Sequence, residues 1–243
     1  MQLEIAVQDA QGARLAQSLG ADRVELCCAL QLGGLTPSGG LLDSVLEAAP
    51  GLPVHVLIRP RPGDYVYDRD AVELMAREIR SVARSGATGV VIGALTADGA
   101  LDTAVVERLL AEANGLHTTF HRAIDHLDDD DALAAVSTLA GLGFGRILSS
   151  GGALRAGDGV DRLGAMVKAA SGRLSIMAGG GVDIADFPAF SAAGLKDVHL
   201  SAKAVRHHQG EARTSVGASD DPAYHITDEA LVRSAVAGAA ALP

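Results

Sequence analysis

A short apolar run recurs about eight times along this chain, and each run stops abruptly at polar or glycine residues. The runs cover residues 3–7, 23–27, 54–59, 89–95, 117–123, 146–150, 174–178 and 197–202. Between most of them lies a stretch with helical spacing. A strand followed by a helix, repeated until a sheet can close on itself, predicts an α/β fold, a (β/α)8 barrel, spanning residues 1–243 as one domain. That fold gathers its chemistry at the C-terminal ends of the strands, so the pattern says where to look before it says what happens there.

Composition fits a barrel and removes other classes. Hydrophobic residues make up 48% of the chain but aromatics only 3%, so the core must be built from Ala, Val, Leu and Ile. A formal charge of −10 repels polyphosphate backbones, and no nucleic-acid partner is expected. The longest apolar stretches fall short of a membrane span, and no membrane association is expected. Residues 1–10 carry Glu4 and Asp9 without a basic start, which predicts no signal peptide and a cytoplasmic location. Cys27 and Cys28 are neighbours and cannot easily bridge each other, so no structural disulfide is expected.

Turn and cap signals place the helices. A helix over 9–19 has Asp9 as N-cap and Gly20 as stop. A glycine-rich loop covers 32–40, and the following helix ends at Pro50-Gly51. Pro60 and Pro62 force an irregular loop after strand three. Helices are predicted over 70–85 and 102–113, and the four acids of 128–131 suit a helix N-terminus. Residues 203–224 are polar and aperiodic, which predicts an extended loop, with His207-His208 as a solvated pair. A closing helix is predicted over 226–237, capped by Thr227 or Asp228.

Alternation within the strands separates an apolar face from a polar one. Leu3, Ile5 and Val7 oppose Glu4 and Ala6; Val24 and Leu26 oppose Arg23, Glu25 and Cys27. Val54, Val56 and Ile58 oppose His55, Leu57 and Arg59; Val198 and Leu200 oppose Asp197, His199 and Ser201. Strand five adds Thr119 and His121, or Thr118 and Arg122, depending on register. So many buried ionisable groups either pair with one another or form a ligand site. Glu4, Glu25 and His121 are the candidate acids and bases. Arg59 and Arg61, bracketing Pro60, suit a carboxylate or phosphate, as does Arg122. Ser149 with the following glycines, and Gly179, Gly180 and Gly181, offer backbone N–H groups to an anion. His199 and Ser201 complete the ligand-binding candidates. Glu4, Glu25 and Arg59 are expected to converge in the barrel mouth. At the end of strand two a thiolate could take a soft metal, and alternation turns Cys27 inward rather than Cys28.

These residues fall in recognisable motifs. Ala21-Asp22-Arg23-Val24-Glu25-Leu26-Cys27 followed by Gly33-Gly34-Leu35-Thr36-Pro37-Ser38 resembles the copper homeostasis protein CutC family. So do Ile58-Arg59-Pro60-Arg61, Thr119-Phe120-His121-Arg122-Ala123, Met177-Ala178-Gly179-Gly180-Gly181 and His199-Leu200-Ser201-Ala202. The resemblance runs from Leu3 to about Ala202, with a looser fit beyond. It implies a cytoplasmic barrel that self-associates as a dimer or tetramer and has a role in copper handling. It also implies copper, as Cu(I), at Cys27, while the position of a second family cysteine holds Ala6 here. Two readings follow: a copper-binding homeostasis protein, or a barrel enzyme acting by acid–base chemistry on a small anionic metabolite, in which Arg59, Arg61 and the glycine loops hold the anion.

Overall fold

The structure, a computed structural model, describes residues 1–207 and 223–242. Eight parallel strands close into a barrel in sequence order. They are β1 Gln2–Val7, β2 Arg23–Leu26, β3 Val54–Leu57, β4 Gly89–Ile92, β5 His117–Phe120, β6 Arg146–Ser149, β7 Ser175–Ala178 and β8 Asp197–Leu200. Helices α1 Ala10–Leu19, α2 Gly39–Ala48, α3 Arg69–Val82, α4 Thr103–Ala113, α5 Asp129–Leu142, α6 Val160–Ala170 and α7 Phe187–Ala192 follow β1 to β7 in turn, and α8 Glu229–Ala240 ends the chain. Among the described residues no helix is long and apolar enough to cross a membrane.

The same device starts most helices. Asp9, Ser38, Asp68, Asp102, Asp128 and Asp228 each accept the N–H three residues on with their side chains. Such a cap satisfies a backbone donor the helix cannot, and stabilises by about 1 kcal/mol. Asp129, Asp130 and Asp131 follow Asp128 in the first turn of α5, where the helix dipole favours negative charge.

The alternation read from the sequence divides the core in two. Leu3, Ile5, Val7, Val24, Leu26, Val54, Val56 and Ile58 join one large apolar cluster with the helices. Cys27, Leu57 and Val91 form a separate small cluster inside the barrel. Strand five settles on one of its two registers: Phe120 packs outward, so Thr119 and His121 share the inward face. Inward glycines on and after β4 make room for imidazoles. A Cβ at Gly89 would stand 2.6 Å from the His55 ring, and one at Gly93 would stand 2.4 Å from His121 Cε1.

Two expectations are corrected. Part of the predicted loop 203–224 is ordered into a ribbon, β9 Lys203–His207 paired antiparallel with β10 Ala223–Thr227. Backbone pairing holds this ribbon, and pairing leaves little imprint on so short a polar sequence. His208 of the His207-His208 pair lies outside the described residues. The closing helix starts three residues later than predicted, because Ile226 and Thr227 belong to β10, and Asp228 is its cap rather than Thr227.

Candidate functional site

Three neighbouring strands build the floor of the site. Parallel pairing sets Glu4 of β1 opposite Arg23 of β2 and His199 of β8, and sets Ala6 opposite Glu25. One Glu4 oxygen takes the Arg23 Nε–H, and the other lies 2.8 Å from His199 Nδ1. His199 Nε2 faces Glu25 Oε2 at 3.5 Å. The imidazole therefore stands between two carboxylates. Arg23 also reaches Asp197 at 3.4 Å, and Arg146 lies 3.3 Å from the same carboxylate. Glu4 and Asp197 thus have guanidinium partners, whereas Glu25 faces only His199 among the described residues.

This asymmetry sets the protonation of the floor. Burial pushes Glu25 up to about 7; the Glu4 charge adds to the shift and His199 offsets only part of it. Glu4 feels the same burial, but the His199 hydrogen bond and then Arg23 outweigh it and hold the carboxyl below its ordinary range. Burial opposes charge on His199 too, yet Glu25 and Glu4 together raise its pKa. Two carboxylates a few ångströms apart are thereby driven in opposite directions, Glu25 towards keeping its proton and Glu4 towards losing it.

The other inward histidines are neutral. His55 and His117 stack with centroids 5.0 Å apart, and burial takes them down to about 3 and about 4. Burial, then the nearby Arg59 charge, takes His121 down to about 3. Its Nδ1 accepts the Ala123 N–H at 3.2 Å, and Tyr65 packs on the ring at 4.7 Å.

Above the floor opens a cleft of about 700 Å³ at the C-terminal ends of the strands. Glu25, His199 and His121 line it together with Arg59, Arg122 and Ser201. Gly180 and Gly181 form one wall with positive φ of 100° and 59°, and their N–H groups donate to no acceptor among the described residues. The Arg122 guanidinium lies against Gly180, where a Cβ would come within 2.6 Å of Cζ. Its Nε meets Asp125 at 2.8 Å and a terminal nitrogen meets Ser150 Oγ at 3.0 Å.

Several predicted site residues sit elsewhere or are otherwise engaged. Arg61 turns back onto its own loop, paired with Asp64 at 2.7 Å and donating to the Val66 carbonyl, and does not line the cleft. Arg59 does line it, but its terminal nitrogens donate to the Leu32, Gly34 and Gly63 carbonyls, so it first of all ties two loops together. Ser149 faces outward by strand alternation, towards Asp125 and Met166. Gly179 spends its N–H on the Ser149 carbonyl. Glu4 lies beneath the cleft rather than in its wall.

Residues the sequence reading passed over complete the site. The Asp125 carboxylate gathers the Ser149 and Ser150 hydroxyls, the Ser150 and Gly152 N–H groups and Arg122, and so shapes the loop after β6. Its only sequence signal is the three-residue spacing from Arg122 on the short turn Arg122–His126. Arg155 and Lys203 bring further positive charge to the rim. Lys203 was hidden in the polar stretch after β8.

The donor set decides what metal could sit here. Cys27 lines the cleft, but burial, and then the Glu25 charge, push its thiol far above the ordinary range. Cys28 points away, towards the Thr36 carbonyl at 3.2 Å. Among the described residues the one cluster of three or more ligating groups is Glu4, Glu25 and His199, whose donor atoms lie within 4.8 Å of one another. It contains no sulfur. Cu(I) prefers thiolate and thioether, so these residues do not fit it.

Comparisons with known proteins agree on the family. The CutC family model matches residues 1–204. The family protein CutC of Agrobacterium fabrum is 42% identical over 235 residues, covering 96% of this chain and 92% of the relative. A solved CutC structure from Streptococcus agalactiae, named for copper homeostasis, superposes with a TM-score of 0.77 at 30% identity, over 83% of this chain and 98% of that one. A solved aldolase, QR15, shares the fold at 16% identity with a TM-score of 0.65, over 82% of this chain and 89% of its own. This chain belongs to the CutC family.

Proposed function

We propose that the cleft is the active site of a barrel enzyme that moves a proton on a small anionic metabolite. Glu25 and His199 are its acid–base pair, and Gly180 and Gly181 with Arg122 seat the anion. The observation that carries this reading is His199 held between Glu4 and Glu25. A general acid or base works best with a pKa near the working pH, and Glu25 is raised to about 7. Glu4 supplies the third group that orients the imidazole. The three lysines of the chain, Lys168, Lys196 and Lys203, lie outside the barrel strands, so no strand-borne amine competes for the role.

Free backbone N–H groups and a guanidinium suit a phosphate or carboxylate. The test is a thermal-shift panel of inorganic phosphate, glycerol 3-phosphate and malonate on wild type and Gly180→Ala. Binding to the folded state raises Tm by mass action. At least one anion should stabilise wild type and lose that effect in the variant. Equal shifts in both proteins, or none in either, would contradict the anion seat.

Copper is the second reading, favoured by the name of the S. agalactiae relative and by the presence of Cys27 in the cleft wall. It predicts a tight Cu(I) complex that Cys27→Ser loses under reducing conditions. The buried thiol argues for the opposite outcome, with wild type and variant taking Cu(I) equally weakly.

A further inference from the structure

His121 remains unused by the acid–base pair, and its geometry is specific. Its Nδ1 accepts the Ala123 N–H, which places the ring proton of the neutral imidazole on Nε2. That Nε2–H is buried and has no partner among the described residues. The residue is 5% exposed, yet it belongs to the lining of the cleft. Tyr65 packs on the ring, which fills the space that Gly93 leaves open, so a ligand oxygen reaches Nε2 by displacing the packing beside it. A buried donor with no acceptor is unfavourable, and a ligand oxygen would remove that cost.

We propose that His121 Nε2–H is a catalytic hydrogen-bond donor to the carbonyl oxygen of the substrate, and that the substrate is an anionic aldehyde or ketone with an enolisable α-carbon. This rests on the acid–base reading of the same cleft. In the step, the base takes the α-proton, the C–H electron pair becomes the C=C bond, and the carbonyl π pair moves to oxygen. That oxygen becomes an enolate held by His121 Nε2–H, and return of a proton to carbon completes the exchange. A neutral imidazole suits the role, because its proton is shared with the developing oxyanion rather than surrendered.

The experiment uses three anions. Oxalate and 2-phosphoglycolate present a planar carboxylate in place of the enolate; glycerol 3-phosphate carries the anion without it. Their binding is followed by ¹⁵N NMR of the histidine side chains and of the Gly180 and Gly181 amides, and by calorimetry on wild type, His121→Phe and His121→Gln. Without ligand, His121 should show the Nε2–H tautomer. Oxalate or 2-phosphoglycolate should shift its Nε2 resonance. His121→Phe should weaken that ligand about 10- to 100-fold, the loss of a hydrogen bond to a charged group. His121→Gln, which keeps a donor amide, should recover most of the affinity, and glycerol 3-phosphate should bind all three proteins alike. An unmoved His121 resonance, with anion binding visible at Gly180 and Gly181, would overturn the carbonyl proposal and leave the anion seat standing. Silence at all of these positions at millimolar ligand would overturn both.

Discussion

His199 Nδ1 lies 2.8 Å from Glu4 Oε1, so a strand-eight imidazole is fixed by a strand-one carboxylate that Arg23 already neutralises. The pair turns the other ring nitrogen towards Glu25. Replacing His199 with Gln removes the one salt-bridge partner of Glu25 among the described residues and leaves only the more distant Arg23 charge. The expected cost is about 1–3 kcal/mol, the range for stranding a buried polar group, read as a lower urea midpoint. An unchanged midpoint would mean that the three groups are not coupled.

Glu25 ties stability to pH. Its folded pKa stands at about 7 against an ordinary 4.5, so between those values the native state binds more protons than the unfolded one. Stability must then fall as pH rises through that window. The raised pKa of His199 acts in the same direction, giving stability at low pH that is lost as pH rises through its folded value. Glu25→Gln removes the first contribution, so its Tm should decline less steeply than that of wild type from pH 4.5 to about 7. Parallel curves would place Glu25 outside the coupled set.

Gly180 holds a φ of 100° with the Arg122 guanidinium against its α-carbon. Gly180→Ala meets both objections to a side chain there. A left-handed non-glycine residue costs roughly 1–2 kcal/mol, and the guanidinium must also move. A loss of that order in chemical denaturation is expected, along with the loss of anion-induced stabilisation.

The two arginines flanking Pro60 should behave differently. Arg59→Ala frees the Leu32, Gly34 and Gly63 carbonyls and should lower Tm while loosening the loop after β2, seen as faster proteolysis there. Arg61→Ala breaks a solvent-screened pair with Asp64, of a kind that adds little to stability, and should leave Tm and anion binding near wild type. A larger effect from Arg61 than from Arg59 would contradict the placement of the two side chains.

What could be read from the sequence followed from periodicity. Eight runs gave eight strands, and alternation put Glu4, Arg23, Glu25, His55, Arg59 and His199 on the inward side. The same rule, carried through β6, turns Ser149 outward, because Arg146 and Leu148 take the inward positions. Other features depend on where side chains end, which spacing does not encode. Arg59 and Arg61 look alike in sequence, but one meets the carbonyls of neighbouring loops and the other its own Asp64. The ribbon of β9 and β10 joins segments with 15 residues between them, residues 208–222, and its pairing is not local.

Proton transfer in the cleft can be measured without knowing the substrate. A small-molecule cell extract incubated with the protein in D₂O should show deuterium entering the carbon skeleton of at least one anionic metabolite, read by mass spectrometry. Glu25→Gln, folded by circular dichroism, should incorporate label at least about 100-fold more slowly, the lower end of what a general base contributes. Labelling no greater than in a boiled control, or a variant as fast as wild type, would contradict the assignment of this cleft as an acid–base site.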